Sequence, residues 1–328
     1  MTPAMPTPAA LLLAVTCVLL MGYAVQRGAT CTVAAVDEWV GKGSFRRLAS
    51  MGEASLWVAG GLVVAEALHR LPAMPAAYAA SGWTVAGGVL LGLGAWINGA
   101  CVFGAIARLG SGEWAYAATP LGYYAGCRFV RQVWNPPAPQ PLEAPSVLFA
   151  APELLAALFL LFSAWRVLPA VMRGLRAGGL RRACRWRTDV WQPHAATSVI
   201  GVTFVVSLLV VGAWAYTELL SDLASGRVHD VGVRVLLFVA LLAGAALGGY
   251  TAGRWRSTPP SLHRVALCLA GGALMGCGTL LIPGSNDGLI LVGMPLLRPY
   301  AWLAFATMCV AIGTAQIARR RWPVAARA

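Results

Sequence analysis

The residues of this chain best suited to chemistry are three cysteines that stand among glycines. Cys31 lies in GATCT, Cys101 in NGACVFG and Cys277 in MGCGTL. Small neighbours allow other groups to approach a thiol closely, and a neutral thiol is a weak hydrogen-bond donor. The three segments predict breaks in helices with a thiol at each break. The pattern leaves two interpretations open, because the thiols serve a ligand in one and the glycines serve only helix packing in the other.

The remaining cysteines lack this context. No CxxC pair occurs, and no Cys/His cluster has the spacing of zinc ligands, so neither a metal centre nor another cofactor is predicted. Cys268 precedes Cys277 by nine residues, which places the two on opposite faces of a helix. Cys268 is therefore expected to pack in the protein. The others are interpreted as small apolar side chains or as an exposed thiol: Cys17, Cys127, Cys309 and, in a basic loop, Cys184.

Two polar residues accompany Cys101. Asn98 stands one helical turn before it, on the same face, and either donates to a ligand or fastens the broken helix. Arg108 either attracts an anion within the membrane or extends to the membrane surface, and the second reading is favoured. The glycines expected to line a path with the thiols are Gly28, Gly99, Gly104 and Gly276.

The composition predicts an all-α integral membrane protein. Apolar residues make up 59% of the 328 residues and charged residues only 11%, whereas soluble domains carry about 25% charged residues. The mean hydropathy is +0.69. The net charge of +13 sits in short segments between apolar runs, so lipid rather than nucleic acid is the expected partner.

Hydropathy predicts about nine transmembrane helices and several short half-helices. The nine predicted spans are 9–26, 51–69, 82–100, 113–131, 147–171, 195–217, 233–252, 265–282 and 299–318. Arg-rich segments at 172–194, 253–264 and 319–321 favour the cytoplasmic side, and the acidic segment 218–232 favours the outside. The expected orientation in a bacterial inner membrane is therefore N-terminus outside and C-terminus in the cytoplasm.

The order of spans predicts an inverted repeat. The Pro-rich segment 135–145 and the fifth span separate two groups of four spans, and the second group begins on the opposite side of the membrane. This 4+1+4 layout with a pseudo-two-fold axis is common in transporters with a site at mid-membrane. It divides the chain into a first membrane repeat (1–134), a linker with a connecting helix and a basic loop (135–194), and a second membrane repeat (195–328). Placing Cys101 on Cys277 aligns other residues of the two repeats.

Three segments resemble the YeeE/YedE sulfur-transport family: GATC (28–31), NGACVFGAIARLGSG (98–112) and GGALMGCGTL (271–280). The resemblance implies a permease, not an enzyme, that takes up thiosulfate or a related sulfur anion. It further implies that the thiols of Cys31, Cys101 and Cys277 hydrogen-bond the substrate in succession along a central path. A small cytoplasmic sulfur-carrier protein is the implied partner. The stretch TLLIPGSNDGL, which follows Cys277 and contains Asp287, departs from the family pattern. A carboxylate on the path would repel a dianion.

Other functions stay open at this point. The same thiols and helix N-termini would serve selenium species, sulfite or sulfide, because free N–H groups and the helix dipole favour any small anion. A membrane thiol oxidoreductase is the alternative from another class. It needs a pair of cysteines reachable from one face, and the sequence contains no adjacent pair.

Overall fold

In the computed structural model, the described residues are 7–28, 30–143, 145–176, 191–227 and 230–321. They form helices and one small antiparallel pair of strands, β1 (Ala77–Tyr78) and β2 (Pro141–Leu142). The prediction of an all-α integral membrane protein is confirmed. Most of the predicted basic loop, from 177 to 190, lies outside the described residues.

The first part of the chain contains six α-helices. They are α1 (Pro8–Gly28), α2 (Thr32–Lys42), α3 (Arg46–Ala67), α4 (Gly82–Asn98), α5 (Val102–Leu109) and α6 (Ala118–Phe129). A 3-10 turn (Trp114–Ala117) precedes α6, and a π-helical turn (Val130–Trp134) continues it.

The second part begins after β2 with a 3-10 turn (Val147–Phe149). Its helices are α7 (Pro152–Arg176), α8 (Pro193–Val211), α9 (Tyr216–Ala224), α10 (Val231–Thr251), α11 (Leu262–Leu281), α12 (Asn286–Gly288) and α13 (Pro299–Arg321). A π-helical turn (Leu289–Gly293) continues α12.

Eight helical segments in the described residues are long and apolar enough to cross a membrane. They correspond to eight of the nine predicted spans. The exception is 113–131, where α6 has only 12 residues and its neighbours are 3-10 and π turns. A helix needs about 20 residues to cross the hydrocarbon core, so α6 completes a crossing only with the turns on either side of it.

A long helix, a break and a short helix follow one another at four places. The pairs are α1 with α2, α4 with α5, α8 with α9, and α11 with α12. The fourth break is not where the sequence placed it, because α11 runs without interruption past Cys277 to Leu281. Pro283 follows the last helical residues, and a proline has no N–H with which to continue a helix. The glycines around Cys277 serve packing inside α11 instead.

Small residues hold the central helices together. A β-carbon at Gly126 of α6 would lie 2.0 Å from the carbonyl oxygen of Ala273, and one at Gly276 of α11 would lie 2.2 Å from that of Tyr123. Such close backbone contact is typical of helix pairs in lipid, where association depends on packing rather than on the hydrophobic effect. Helices α6 and α4 both pack along α11, so the first and second parts of the chain share one core.

Candidate functional site

The N-termini of the four short helices meet inside the protein. The residues that precede them are Cys31 before α2, Cys101 before α5, Ala215 before α9 and Ser285 before α12. Direct bonds connect the four ends. The Thr32 hydroxyl lies 3.2 Å from Oδ1 of Asn286, and the Tyr216 hydroxyl donates to the carbonyl of Val102 at 2.9 Å.

Cys31 and Cys101 form the centre of this arrangement. The backbone N–H of Cys101 donates to the Cys31 sulfur at 3.4 Å, and the N–H of Thr32 donates to the Cys101 sulfur at 3.3 Å. The two thiols also lie within hydrogen-bonding reach of each other. Each sulfur therefore occupies the N-terminus of a short helix, where free N–H groups and the helix dipole favour negative charge. The structure thus brings together two cysteines that are 70 residues apart.

Gly104 makes room for the Cys31 thiol. A β-carbon at Gly104 would lie 2.6 Å from the Cys31 sulfur, which is well inside van der Waals contact. A side chain at position 104 would displace the thiol from its position beside Cys101. Gly104 therefore belongs to the candidate site, and its role in a transport path stays a prediction.

A cavity of about 300 Å³ opens at Cys31. We call it the Cys31 cavity. Its walls include Gly99, Gly104 and Arg108 of the predicted site, together with residues that the sequence did not single out: Gln26, Ala34, Arg47, Ala100, Ala107, Ser111, Glu113 and Arg254. The wall carries three arginines and one glutamate, so its net charge is positive.

A second cavity, of about 500 Å³, opens at Ser285 and is called the Ser285 cavity. Its walls include Thr217, Glu218 and Thr279, the loop residues Pro283 and Gly284, and the linker residues Ala138 and Pro139. Three arginines, Arg131, Arg227 and Arg234, also contact it, and Arg234 pairs with Asp222 at 2.8 Å.

The two cavities lie at opposite ends of helix α10. Arg234, in its first turn, lines the Ser285 cavity, while Arg254, three residues after its end, lines the Cys31 cavity. A helix of 21 residues is about 30 Å long, roughly the thickness of the hydrocarbon core. The cavities therefore approach the four helix N-termini from opposite faces of the membrane.

A set of fully buried residues connects Cys101, which is bonded beside Cys31, to Thr217 on the wall of the Ser285 cavity. It consists of Cys101, Thr32, Asn286 and Thr217. Within the described residues, Nδ2 of Asn286 is buried and has no hydrogen-bond acceptor. An unsatisfied buried N–H group costs about 1–3 kcal/mol, and a passing anion would satisfy it. We call these four residues the central layer.

Asp287 lies at the edge of the central layer, beside the Ser285 cavity. Its carboxylate accepts hydrogen bonds from the Thr217 hydroxyl at 2.9 Å, from the Gly288 N–H at 3.0 Å and from the Ser285 hydroxyl. All three donors come from short-helix N-termini. The carboxylate is thus held inside the protein by its neighbours rather than directed into either large cavity.

Asn98 fastens the break between α4 and α5 and does not line either large cavity. Its Nδ2 donates to the Ala100 carbonyl at 2.7 Å, and its Oδ1 accepts from Thr119 at 2.9 Å. Arg264 supports the same break, because its guanidinium donates to the Asn98 carbonyl at 2.6 Å and to the Tyr116 hydroxyl. Of the two readings of Asn98 that the sequence allowed, these bonds favour the structural one.

The structure does not bring Cys277 to the central layer. Its thiol donates to the Gly126 carbonyl at 3.5 Å, while Cys127 of the facing helix donates to the Gly276 carbonyl at the same distance. Both thiols thus belong to the α6–α11 interface. Neither large cavity is lined by Cys277. The expectation that Cys277 continues the path therefore gains no support from either large cavity.

Two of the predicted path glycines are also packing residues. A β-carbon at Gly28 would lie 2.3 Å from the β-carbon of Ala196, so Gly28 allows α1 to contact α8. Gly276 has the corresponding role between α11 and α6. Gly99, by contrast, has a φ of +70° at the end of α4, where only glycine turns without strain. It lines the Cys31 cavity.

Arg108 lies at the wall of the Cys31 cavity in an ion pair. Its Nη1 is 3.0 Å from Glu113, and the side chain is about half exposed, at 51%. This agrees with the favoured reading of an arginine that extends toward the surface. The pair also leaves Arg108 close enough to contribute positive potential to the cavity.

The sequence contained signals for the parts of the site that were missed. GAWAYT (212–217) repeats the spacing of GATCTV (28–33), which marks Ala215 as the counterpart of Cys31. Likewise, Pro283 and Gly284 are helix-stop residues that point to Ser285, not Cys277, as the counterpart of Cys101. Arg264 gave no such signal, since an arginine in the first turn of an apolar helix is ordinary at a membrane surface.

No group of three or more metal-ligating side chains occurs in the part of the chain that the structure describes. A search of curated proteins returns no match to the chain. The model of the sulphur-transport family matches residues 27–314, a range that includes both thiols, the central layer and, except for Gln26, the residues that line the two large cavities. With eight candidate spans in its described residues, the chain is a multi-pass membrane protein that belongs to the sulphur-transport family (YeeE/YedE).

Proposed function

We propose that this protein is a permease that takes up thiosulfate, or a related small sulfur anion, through the central layer. The observation that carries the proposal is the combination of the Cys101 thiol and an unsatisfied donor in that layer with the Cys31 thiol beside it. Cys31 and Cys101 stand at helix N-termini, and Nδ2 of Asn286 has no acceptor among the described residues. A thiol, an amide and free N–H groups are all donors, which is what a desolvated anion requires.

The strength of these donors suits transport rather than tight binding. Neutral thiols donate weakly, whereas a bidentate arginine would hold the anion firmly. The arginines of the Cys31 cavity stand in its wall and not in the central layer. They concentrate the anion near the site, and the thiols transfer it from one cavity to the other. In this mechanism Cys31 and Cys101 act in succession, without Cys277.

The direction of transport follows from the charges of the loops. The Cys31 cavity is bordered by Arg47 and Arg254, which belong to segments that favour the cytoplasm. The Ser285 cavity is bordered by the linker and by the acidic segment around Asp222. The substrate thus enters at Ser285 and leaves at Cys31, with the N-terminus outside and the C-terminus in the cytoplasm of a bacterial inner membrane.

The four breaks support an inverted repeat as the basis of this mechanism. In each part of the chain, two long helices are followed by a break and a short helix, and the four N-caps meet at one place. The first part supplies thiols at its two N-caps, whereas the second supplies Ala215 and Ser285. We further propose that a small cytoplasmic sulfur-carrier protein receives the substrate at the mouth of the Cys31 cavity.

One observation favours a second function, that of a membrane thiol oxidoreductase. The sequence argued against it because no cysteines are adjacent, yet Cys31 and Cys101 are in contact. A dithiol that exchanges electrons must be reachable by a partner, however, and Cys101 is fully buried. If the protein transfers electrons, replacing either cysteine abolishes activity. Serine, which supplies a hydroxyl donor but no thiol, then does not restore it. A permease tolerates serine in part.

Growth on thiosulfate separates these possibilities. A sulfur-auxotrophic bacterium that lacks its own thiosulfate uptake is transformed with the wild-type chain, with Cys31→Ala, Cys101→Ala or Cys101→Ser, and with Cys309→Ala as a control at a buried cysteine outside the site. We expect growth with wild type and control, none with the alanine variants at equal membrane levels, and partial growth with serine. Growth of both alanine variants at the wild-type rate would contradict the proposal. Rescue only on sulfite or sulfide would show that the protein transports that sulfur compound and not thiosulfate.

A further inference from the structure

Two carboxyl groups share a small cavity between the Ser285 cavity and the central layer. The cavity measures about 20 Å³, and Glu218 and Asp287 both contribute to its wall. A cavity of this measure holds about one water molecule. Glu218 also lines the Ser285 cavity. It therefore has access to bulk water on one side and to Asp287, across a water-sized space, on the other.

Apolar groups make up most of the remaining wall. They include Met21, Phe103, Phe204 and Leu241. A charged carboxylate in such surroundings is costly unless a cation pairs with it. Among the described residues, neither Glu218 nor Asp287 takes part in an ion pair. Binding a proton removes this cost.

The groups that face the two carboxyls leave them available for protons. Arg234 of α10, the nearest cation to Glu218, is already paired with Asp222 at 2.8 Å. Arg131 and Arg227 line the Ser285 cavity with Glu218, but among the described residues neither forms an ion pair with either carboxyl group. Further titratable groups around the pair are the hydroxyls of three tyrosines: Tyr216 on α9, Tyr123 on α6 and Tyr300 on α13. None of these neutralises a carboxylate.

A second observation points to a ligand in the small cavity. Trp214 forms part of its wall and is only 5% exposed, and its Nε1–H has no acceptor among the described residues. A water molecule there would accept from Trp214 and bridge Glu218 to Asp287. Three polar groups around one water are the usual number for a buried site.

We propose that Glu218 and Asp287 are the proton-coupling site of this transporter, joined by a water in the small cavity. The inference rests on the proposed function, because it assigns the driving force of that uptake. Glu218 binds a proton from the Ser285 cavity and passes it through the water to Asp287. Glu218 then binds a second proton, so that each carboxyl group carries one. The protons leave to the Cys31 cavity together with the anion, and both carboxylates are regenerated.

The charge of the substrate explains why such a site is needed. A membrane potential of 100 mV, negative inside, lowers the equilibrium ratio of inside to outside concentration by a factor of about 50 for each negative charge on the substrate. A dianion therefore faces a factor of about 2,000. Two protons carried with each dianion make the movement electroneutral. A protonated Asp287 also removes the repulsion that an aspartate beside the path would otherwise exert on the substrate.

Proteoliposomes that contain the purified protein provide the test. Uptake of ³⁵S-thiosulfate is measured with the outside one pH unit more acidic than the lumen, and separately as exchange against unlabelled thiosulfate with no gradient. The variants are Asp287→Asn and Glu218→Gln, with Glu153→Gln on the exposed start of α7 as a matched control. A pH-sensitive dye in the lumen reports on proton entry with the wild-type protein alone.

We expect the two carboxyl variants to lose accumulation of thiosulfate but to keep its exchange. Wild type and Glu153→Gln accumulate thiosulfate about tenfold for each proton carried, and thiosulfate acidifies the lumen. Asp287→Asn and Glu218→Gln accumulate thiosulfate to a level at least about tenfold lower than wild type, but they still exchange it. Two results would overturn the coupling site without contradicting the permease. One is exchange by the wild-type protein without acidification of the lumen, and the other is accumulation by both variants at the wild-type level. Wild type that neither exchanges nor accumulates any sulfur anion overturns the proposed function, and the coupling site with it.

Discussion

The backbone N–H of Cys101 donates to the Cys31 sulfur at 3.4 Å, and the two thiols face each other at the N-termini of α2 and α5. Thiols this close form a disulfide when an oxidant is present, provided that their geometry permits a bond. We expect copper–phenanthroline to join Cys31 to Cys101 in the membrane-embedded protein and to lower thiosulfate uptake at least about tenfold. Peptide mass spectrometry identifies the bond, and dithiothreitol should restore uptake.

The variant Cys31→Ser is the control for this cross-link. It should keep its uptake in the presence of the oxidant, at whatever level it has without it. Inhibition of this variant to the same extent as wild type would place the sensitive thiols elsewhere in the chain.

Gly104→Ala should reduce transport without unfolding the protein. The added methyl group would lie 2.6 Å from the Cys31 sulfur and would displace the thiol. Misplacement of a reacting group by about 1 Å commonly costs about 100-fold in rate, so we expect a loss of at least about tenfold. Initial uptake rates at equal protein levels give the measurement. Gly52→Ala is the matched control, since no atom lies within 4 Å of its β-carbon position. Equal rates for both variants would remove Gly104 from the site.

Arg264→Ala should lower both stability and activity. The guanidinium donates to the Asn98 carbonyl at the end of α4 and packs 4.8 Å from the centre of the Tyr116 ring. Hydrogen bonds from charged groups contribute about 1.5–3 kcal/mol, and we expect a loss of about 2 kcal/mol in the free energy of unfolding. Denaturation of the detergent-solubilised protein measures it. Arg254→Ala, at an exposed arginine on the wall of the Cys31 cavity, should change stability by less than about 0.5 kcal/mol.

Cys277→Ala should leave transport close to the wild-type rate. Its thiol makes a long, weak bond to the Gly126 carbonyl at the α6–α11 interface. Replacing a half-buried cysteine with alanine there removes little packing, so we expect less than a twofold change in uptake. Cys101→Ala, measured beside it, should abolish uptake. The opposite ranking of these two variants would restore the third thiol to the path and would favour the three-cysteine pattern that the resemblance implies.

Much of the fold follows from the sequence, because hydropathy determines where a helix can cross a membrane. The two breaks with thiols were also predictable, since glycine and cysteine stand together in GATC and NGAC. The same pattern pointed to Gly104, which lies against the Cys31 sulfur. These features are local, and local sequence carries their signals.

The fourth break was assigned to the wrong residue because glycine has two roles in membrane helices. Gly276 and Gly278 flank Cys277 as glycines flank Cys101, yet they allow contact with α6 and α4 rather than a turn. Hydropathy alone does not separate these roles. Pro283, which cannot continue a helix, was the more reliable signal.

The central layer could not be predicted from local sequence patterns. Thr32 and Asn286 are 254 residues apart in the chain and touch only because two helix breaks meet. The contact of Glu218 and Asp287 around one small cavity has the same origin. Neither contact leaves a pattern in the sequence, because each depends on how distant helices pack.

The most direct test of the central layer is a structure of the protein with selenosulfate, an analogue of thiosulfate whose selenium atom gives an anomalous signal. We predict one selenium peak within about 4 Å of the Cys101 sulfur and of Nδ2 of Asn286. The peak should be absent from Cys101→Ala crystals prepared in the same way. A selenium peak beside Cys277, or peaks only in the two open cavities with the central layer empty, would contradict a path through Cys31 and Cys101.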